Sequence, residues 1–447
     1  MSEAKPRVMG AVFLTVLLDL IGFSVLFPLF PQLLEHYRIR EGADSAIGEL
    51  YAWLVEIVGD QDERSARYAV IALFGGVLGS AYSLLQFLFA PVWGGISDRI
   101  GRKRVLMVTL GGTVVAYTLW FFAGTFTLLV VSRLLAGIMA GNIATASAIV
   151  ADVYPPEKRS RGMAAVGAAI GLGFVLGPAL GAAAYALVDV LHHFPSWEAW
   201  GVNPFSSAAA VSLGLAALNW LLVAARLPET LDRGTERPRA GLLGFLKVKE
   251  LGSAALVRTH LVYLAYMILF SAMEFTLVFL TTDRLSYEPT DNAWMFVFIG
   301  LVIALVQGGV VRRRAEKVGE KRMATLGLLL VIPGFVLVGV VPEGGGGSAG
   351  LQLYLGLFGL ATGSAMVMPC LSALVSRYAD EGRQGLAQGT FRSMGSLARA
   401  LGPFLGGVAY WSLSSSSPYL VGALLMLVPL ALAAGLPVPK PAAEEPA

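Results

Sequence analysis

Long apolar runs separated by short polar turns dominate the chain, and twelve of them can be counted. A bilayer crossing needs roughly 20 mostly apolar residues. By that measure the first six spans cover about 7–31, 69–93, 105–124, 127–150, 163–188 and 205–225. The last six cover about 259–281, 292–311, 322–341, 350–375, 386–411 and 418–436. Two connections stand out by length. In segment 32–68, Ile47, Leu50, Tyr51, Leu54, Ile57 and Val58 recur at helical spacing, which predicts a short amphipathic helix capping one mouth of the molecule. Segment 226–258 joins spans six and seven; its part 241–257 mixes Leu242, Phe245, Leu246 and Leu251 with Lys247 and Lys249. That pattern suits either a helix lying in the membrane interface or a plain tether. The Pro- and Ala-rich residues 437–447 read as a disordered tail.

Composition turns this pattern into a class. The chain has 447 residues, 56% hydrophobic and 14% charged, with mean hydropathy +0.69, too apolar for a soluble globule. An all-α, multi-pass membrane protein is therefore expected. The opening run to Pro31 is too long for the apolar core of a secretory signal and reads as span one. Cys370 is the single cysteine, so neither an internal disulfide nor a thiolate metal site can form. His36, His192, His193 and His260 lack metal-ligand spacing, and the adjacent pair suits a solvated loop. No phosphate-binding loop, metal constellation or nucleophile–base set argues for an enzyme, and nothing calls for a cofactor, a metal or nucleic acid. Charge orients the chain. Of 33 Lys/Arg, only five fall in the segments opposite the two termini. Both termini are thus expected on the cytoplasmic side of an inner or plasma membrane.

The segment 94–106, Gly-Gly-Ile-Ser-Asp-Arg-Ile-Gly-Arg-Lys-Arg-Val-Leu, makes the turn from span two to span three. Gly101 can take positive φ there without steric cost. Asp98 can sit at a helix N-terminus, its own neighbour's or another's. Arg99, Arg102, Lys103 and Arg104 hold the turn on the cytoplasmic side. A worn copy follows span eight, where Gly319 answers Gly101 and Glu316 answers Asp98. Gly177-Pro178-x-x-Gly181 in span five likewise returns as Gly402-Pro403-x-x-Gly406 in span eleven. Two pseudo-symmetric six-helix bundles, with a cavity between them that rocking would expose to each side in turn, are the expected architecture.

Charges inside the hydrocarbon cost about 2.5–3.5 kcal/mol each, so the five that occur should face that cavity or one another. Asp19 lies roughly 18 Å from the outer end of span one and Arg133 roughly 9 Å from that of span four. They form either a proton-responsive pair or a permanent ion pair. Glu274, near Tyr266 and Phe270 in span seven, is a second candidate proton carrier, a substrate contact or a partner for an arginine. Arg392 and Arg399, seven residues apart, share a face of span eleven. They suit an anionic ligand or neutralise the two acids. Gln86 and Asn142 are candidate polar contacts or ties between helices. Gly173, Gly177, Pro178 and Gly181 allow close helix approach and a kink in span five.

Asp19-x-x-Gly22 with Pro28-x-x-Pro31, the 94–106 turn, Arg133-x-x-x-Gly137-x-x-x-Gly141, Gly173-x-x-x-Gly177-Pro178, Leu227-Pro-Glu-Thr230 and Val318-Gly-Glu-Lys-Arg322 follow one another along the chain. In that order they resemble the 12-helix drug:proton antiporters of the major facilitator superfamily over nearly the whole sequence. The likeness is closest to the tetracycline-resistance exporters. The long 32–68 loop and the surroundings of Glu274 and Arg392 look like the animal tetracycline-transporter-like branch, associated with organic anions. The resemblance implies that Asp98 and Arg102, with Asp152 at the inner end of span four, form a latch against span eleven; Gly94, Arg99, Gly101 and Lys103 belong to the same motif. It also implies proton coupling through Arg133. The chain departs from the pattern at Ala136 and Ala182 and carries no acid in spans three and nine, which sets tetracycline itself aside as substrate. The expectation is a bundle over 1–225, a linker over 226–258 and a second bundle over 259–436. This would be a monomeric proton-coupled antiporter exporting drug-like amphipaths or organic anions across the lipid bilayer. An organic-anion uniporter or symporter is the alternative within transport, and a non-transporting receptor or scaffold the alternative outside it.

Overall fold

The computed structural model describes residues 4–58, 63–154, 159–231, 253–344, 347–379 and 384–438. Span one comprises α1 (Ala4–Ser24), a 3-10 turn (Phe27–Leu29) and α2 (Phe30–Glu41), because Pro28 and Pro31 interrupt the ladder without ending the helix. The expected amphipathic helix is α3 (Ala46–Val58). Span two is α4 (Glu63–Ile100) and span three α5 (Arg102–Phe121). Span four is broken into α6 (Phe126–Met139) and α7 (Asn142–Val153), and span five is α8 (Arg159–Leu187). After α9 (Val190–His193) comes span six, α10 (Ser206–Arg226). Spans seven to twelve are α11 (Ala254–Leu285), α12 (Pro289–Leu305) continuing through a π turn (Val306–Val311) into α13 (Arg312–Val318), α14 (Glu320–Gly339), α15 (Gly347–Tyr378), α16 (Gln384–Ser412), and α17 (Ser417–Leu425) with α18 (Leu427–Ala434). Eleven of these units are long and apolar enough to cross a membrane. The twelfth, α16, has the length at 29 residues but carries two arginines among glycines, serines and glutamines, as a helix enclosed by α4 and α11 can.

Several boundaries moved outward. Spans two and five begin at Glu63 and Arg159, and span ten runs on to Tyr378, because helices continue past the apolar core into the interface. Most of 241–257, where an interfacial helix was one expectation, lies outside the described residues, and its last four residues already belong to α11. Residues 439–447 of the expected tail also lie outside them.

Spans one, five and six pack together, and three packs with four and six; seven packs with eleven and twelve, and nine with ten and twelve. Across the middle, span two meets eleven and span five meets eight. We term the side bearing the 94–106 turn the basic face, and the opposite side the far face. Each bundle is knotted at its far end by the same corner in different chemistry. In the first, Tyr37 Oη donates to the Ala123 carbonyl (2.5 Å), Asn203 Nδ2 donates to it too (2.8 Å), and Ser206 Oγ donates to that of Phe121 (2.7 Å), joining spans one, three and six. In the second, Arg284 donates to the Val341 carbonyl (2.6 Å) and to the Ser415 and Ser416 hydroxyls (2.8 Å each), joining spans seven, nine and twelve. Arg284→Ala should cost about 1.5–3 kcal/mol, the usual worth of hydrogen bonds to a charged donor. Arg284→Lys should restore only part of it, since an ammonium cannot reproduce the planar fork. Thermal unfolding in detergent checks this, and an unchanged midpoint for Arg284→Ala contradicts it.

Candidate binding cavity

A cavity of about 490 Å³ lies between the bundles, walled by spans seven, eight, ten and eleven and closed by Gly167, Gly171 and Phe174 of span five. Its walls are mostly apolar and aromatic, with few polar groups: Glu274, Arg392, Arg399, Gln307, Ser372, Ser396, Tyr263 and a Tyr266–Ser364 hydroxyl pair at 2.8 Å. That is the composition of a small-molecule site. A narrower hollow of about 50 Å³ continues towards the far face, sharing Phe174, Glu274 and Arg399 and reaching Arg133.

The spans around the cavity are pinched at one end and splayed at the other. On span two, a Cβ at Gly76 would lie 2.7 Å from the Pro403 carbonyl oxygen of span eleven, and one at Gly79 would lie 3.9 Å from Pro403. Gly94 is eighteen residues beyond Gly76, about five helical turns, and so shares its face; among the described residues a Cβ there meets nothing within 4 Å. The rings of Phe30 and Phe275 close the far side at 5.9 Å. The cavity therefore opens towards the basic face.

The membrane charges sort into two groups. Asp19, half-buried, accepts from Asn142 Nδ2 (2.9 Å), whose Oδ1 accepts from Thr109 (2.6 Å). Arg133 is buried with its guanidinium over Trp120 (4.4 Å) and Tyr117 (5.2 Å), and Ser132 Oγ is 3.3 Å away. No carboxylate among the described residues lies within 4 Å of Arg133, so the expected Asp19–Arg133 pair is not made in this conformation. The depth estimate concerned distance along the axis and carried no information about which way each side chain turns. Asn142, at the break in span four, acts as a tie between spans one, three and four. Gln86 borders neither hollow. The second group lines the cavity: Glu274 and Arg399 touch both hollows, Arg399 lies over the Phe174 ring at 5.6 Å, and Arg392, Tyr266 and Phe270 line the larger one. Arg399 is the cation whose field reaches Glu274.

The basic turn is built on Arg102, 2% exposed, which bonds Asp98 (2.6 Å), Asp152 (3.0 Å) and Ser97 Oγ (2.6 Å). Gly101 at φ +115° turns the Arg102 amide onto Glu229 (2.7 Å), which also accepts from the amides of Thr230 (3.0 Å) and Leu231 (3.1 Å). Lys103 donates to the Ala224 carbonyl (2.7 Å), and Arg99 is exposed. Every one of these partners belongs to the first six spans or the Leu-Pro-Glu-Thr segment after them. The expected engagement with span eleven is absent among the described residues. The glycines of span five face inwards. A Cβ at Gly173 would lie 3.3 Å from the Ile21 amide, and one at Gly177 would lie 2.6 Å from the Ile21 carbonyl oxygen, so their seam is with span one and the other side of the helix meets span eight. Gly181, against Val25, continues that seam, and Pro178 is buried within the same helix.

Sequence reasoning passed over Tyr263 and Phe391, stacked at 3.7 Å in the cavity wall, because an aromatic residue in a span reads as core. Trp93 was missed too. Its indole donates to the Ile138 carbonyl (2.7 Å) freed where span four breaks.

Comparison with known proteins agrees with this geometry. The family model of the Major Facilitator Superfamily matches residues 12–316 and 311–447. Major facilitator superfamily domain-containing protein 10 of Homo sapiens is 36% identical over 456 residues, covering 97% of this chain and 94% of its own. The class C tetracycline resistance protein of Escherichia coli is 28% identical over 424 residues, covering 93% of each. The crystal structure of the human organic anion transporter MFSD10 (TETRAN) superposes with a TM-score of 0.76 at 34% identity, covering 96% of this chain and 99% of that one.

The splay has a direct check in single-cysteine labelling of purified protein with a water-soluble maleimide. Ser372→Cys, on the cavity wall, should label readily; Ser83→Cys, on the far-face hollow and 4% exposed, should resist, as should the native buried Cys370. The reverse order of reactivity would mean a cavity open to the other face.

Proposed function

The chain belongs to the Major Facilitator Superfamily and is a membrane transporter, not an enzyme; from that premise we propose that it exports amphipathic organic anions in exchange for protons. The observation that carries the proposal is the pair of arginines, Arg392 and Arg399, on a mostly apolar wall that holds one carboxylate, Glu274. Two cations in a low-dielectric pocket select an anion, and the aromatic and methionine walls select an apolar body. The family comparison supports it: the human relative is described as an organic anion transporter.

On this reading the basic face is cytoplasmic, following the excess of Lys/Arg there. The bundles 1–225 and 259–436 rock about the contacts of spans two with eleven and five with eight, joined by the 226–258 linker. One chain supplies both walls, so a monomer suffices. Anion enters from the cytoplasm onto Arg399 and Arg392. Closure brings span eleven back against Gly94 and within reach of Asp98 and Arg102, the latch of the far-open state. Asp19 is the proton carrier of the first bundle: protonation removes its charge and with it the strength of the Asn142 bond, and Arg133 is the cation that an ionised Asp19 can meet when span one shifts.

Sending an anion out while a proton comes in moves two charges in the same electrical sense. An inside-negative potential then contributes about 2.3 kcal/mol per charge per 100 mV. A second reading, proton–anion symport, has one observation in its favour. Glu274 sits in the field of Arg399, so a proton on Glu274 would free that arginine for the ligand, and the two would bind together.

Electrogenicity separates the two. In proteoliposomes loaded with fluorescein, an aromatic organic anion, antiport should be driven by an acid exterior and, independently, by an inside-negative potential. Symport of one proton with a monoanion should ignore the potential. Asp19→Asn should remove the proton dependence. Arg399→Ala should weaken fluorescein affinity about tenfold to a hundredfold, the equivalent of a charged hydrogen bond. Flux insensitive to both gradients would overturn the proton-coupled reading.

A further inference from the structure

We propose that His260 is a positioning residue of the transport cycle: a second proton on its ring ties span seven to the start of span eleven, and loss of that proton releases the basic-side wall of the cavity. The inference rests on the proton-coupled reading above, with a group outside the residues so far given a role.

The ring is fully buried, with Nδ1 2.7 Å from the Leu256 carbonyl oxygen of its own helix and Nε2 3.0 Å from the Ala387 carbonyl oxygen of span eleven. A carbonyl oxygen only accepts. Neutral imidazole has one N–H, so one nitrogen would have to aim a lone pair at an oxygen lone pair; only imidazolium, with two N–H groups, makes both bonds. The bond to Leu256 lies within one helix and fixes nothing between helices. The bond to Ala387 is the one that matters, because it joins two spans.

What stands behind that bond is the cavity wall. Phe391 is one turn beyond Ala387, lies edge-on to His260 with centroids 6.0 Å apart, and stacks on Tyr263 of span seven at 3.7 Å. Arg392 follows Phe391 and lines the cavity. Separation of the His260–Ala387 contact thus shifts the plate that holds Arg392. Span seven itself carries the titratable groups Arg258 and Tyr263 here; of the elements packed against it, α15 brings Cys370 and Tyr378, α16 brings Arg392, and α18 brings none. Arg258 is held on the Gly435 carbonyl, and Tyr378 donates to that of Pro437 (2.5 Å). Among the described residues no charged side chain acts on the imidazole: burial of the ring opposes its second proton, and the two carbonyls are what hold it.

The test has a spectroscopic arm and a conformational arm, neither of which needs a transported ligand. In the 15N-histidine NMR spectrum of the full chain, His260 is assigned by its loss in H260Q. If H260Q does not fold, a variant with His36, His192 and His193 replaced by glutamine leaves it as the sole histidine. Both ring nitrogens should carry protons at the acid end of a pH titration and one at its alkaline end. A single neutral tautomer throughout overturns the proposal. In the second arm, the labelling rate of Ser372→Cys is compared with that of the same cysteine in the H260Q background across that pH range, which cancels the thiol's own ionisation. The ratio should rise as His260 loses its proton and the wall loosens. A ratio independent of pH overturns the proposal even if His260 titrates, and leaves proton-coupled transport itself untouched.

Discussion

A Cβ on Gly177 would lie 2.6 Å from the carbonyl oxygen of Ile21, and one on Gly402 would lie 2.9 Å from that of Ile268. Real side chains do not approach backbone so closely, and the consequence is that span five can seat only against span one, and span eleven only against span seven, with glycine at these positions. The correspondence extends along both seams, with Gly181 against Val25 and Gly406 against Ala272. Close approach of small residues is the main adhesive between helices in lipid, where no hydrophobic driving force separates apolar surface from apolar surface. Each half thereby becomes a tightly seamed body. The contact between halves is different in kind: backbone-close at Gly76 and Pro403, looser at Gly79, and absent among the described residues at Gly94. A molecule whose seams lie within the halves and whose gap lies between them is built to rock as two units.

Within those bodies, buried charge is accommodated in three ways. Arg133 spreads its charge over two aromatic faces, an arrangement worth about 2 kcal/mol or more when desolvated. Asp19 draws a hydrogen bond from an amide that is itself held by Thr109. At the basic face the two halves use the same geometry with opposite sign. After Gly101 comes the buried Arg102, paired with Asp152 at the end of span four; after Gly319, at φ +88°, comes Glu320, 8% exposed and paired with Arg377 at the end of span ten (2.9 Å). The pairing of the turn with the end of the fourth helix of each half is what the repeat preserves, and the sign of each partner is free to exchange.

This exchange shows where sequence reading stops. The apolar runs, the basic turns and the Gly-Pro echo carry the twelve-span repeat openly, because length and composition alone decide whether a segment can cross lipid. The worn second copy of the turn was matched on Gly319 and Glu316, whereas the residue that answers Arg102 is Glu320, which no search for like charge would find. The Leu-Pro-Glu-Thr segment was visible as a motif without a role; Glu229 acquires one only once Gly101 has turned an amide towards it. Helical distance placed Asp19 and Arg133 within reach of one another, but the angle around each helix sends one to an amide and the other to aromatic rings. The break in span four was invisible for a related reason. The carbonyl it frees is met by Trp93 from another helix, and a partner in another helix leaves no local signal.

The distribution of the remaining charges bears on how the halves communicate. Glu274, Arg392 and Arg399 all stand on the second half, in the wall of the cavity, whereas Asp19 and Arg133 stand on the first, behind it. A ligand lodged on the arginines touches the first half chiefly through Phe174 and the bare glycine face of span five, which offers shape and no charge. On the proposed reading the energetic demand on the first half is therefore steric: it must close over an apolar body already anchored by its anionic end. Arg399 lies over Phe174 and, with Glu274, lines both hollows. On the proposed reading it is the point at which ligand charge, carboxylate protonation and closure act on one side chain, while Arg392, seven residues nearer the open face, meets the ligand first.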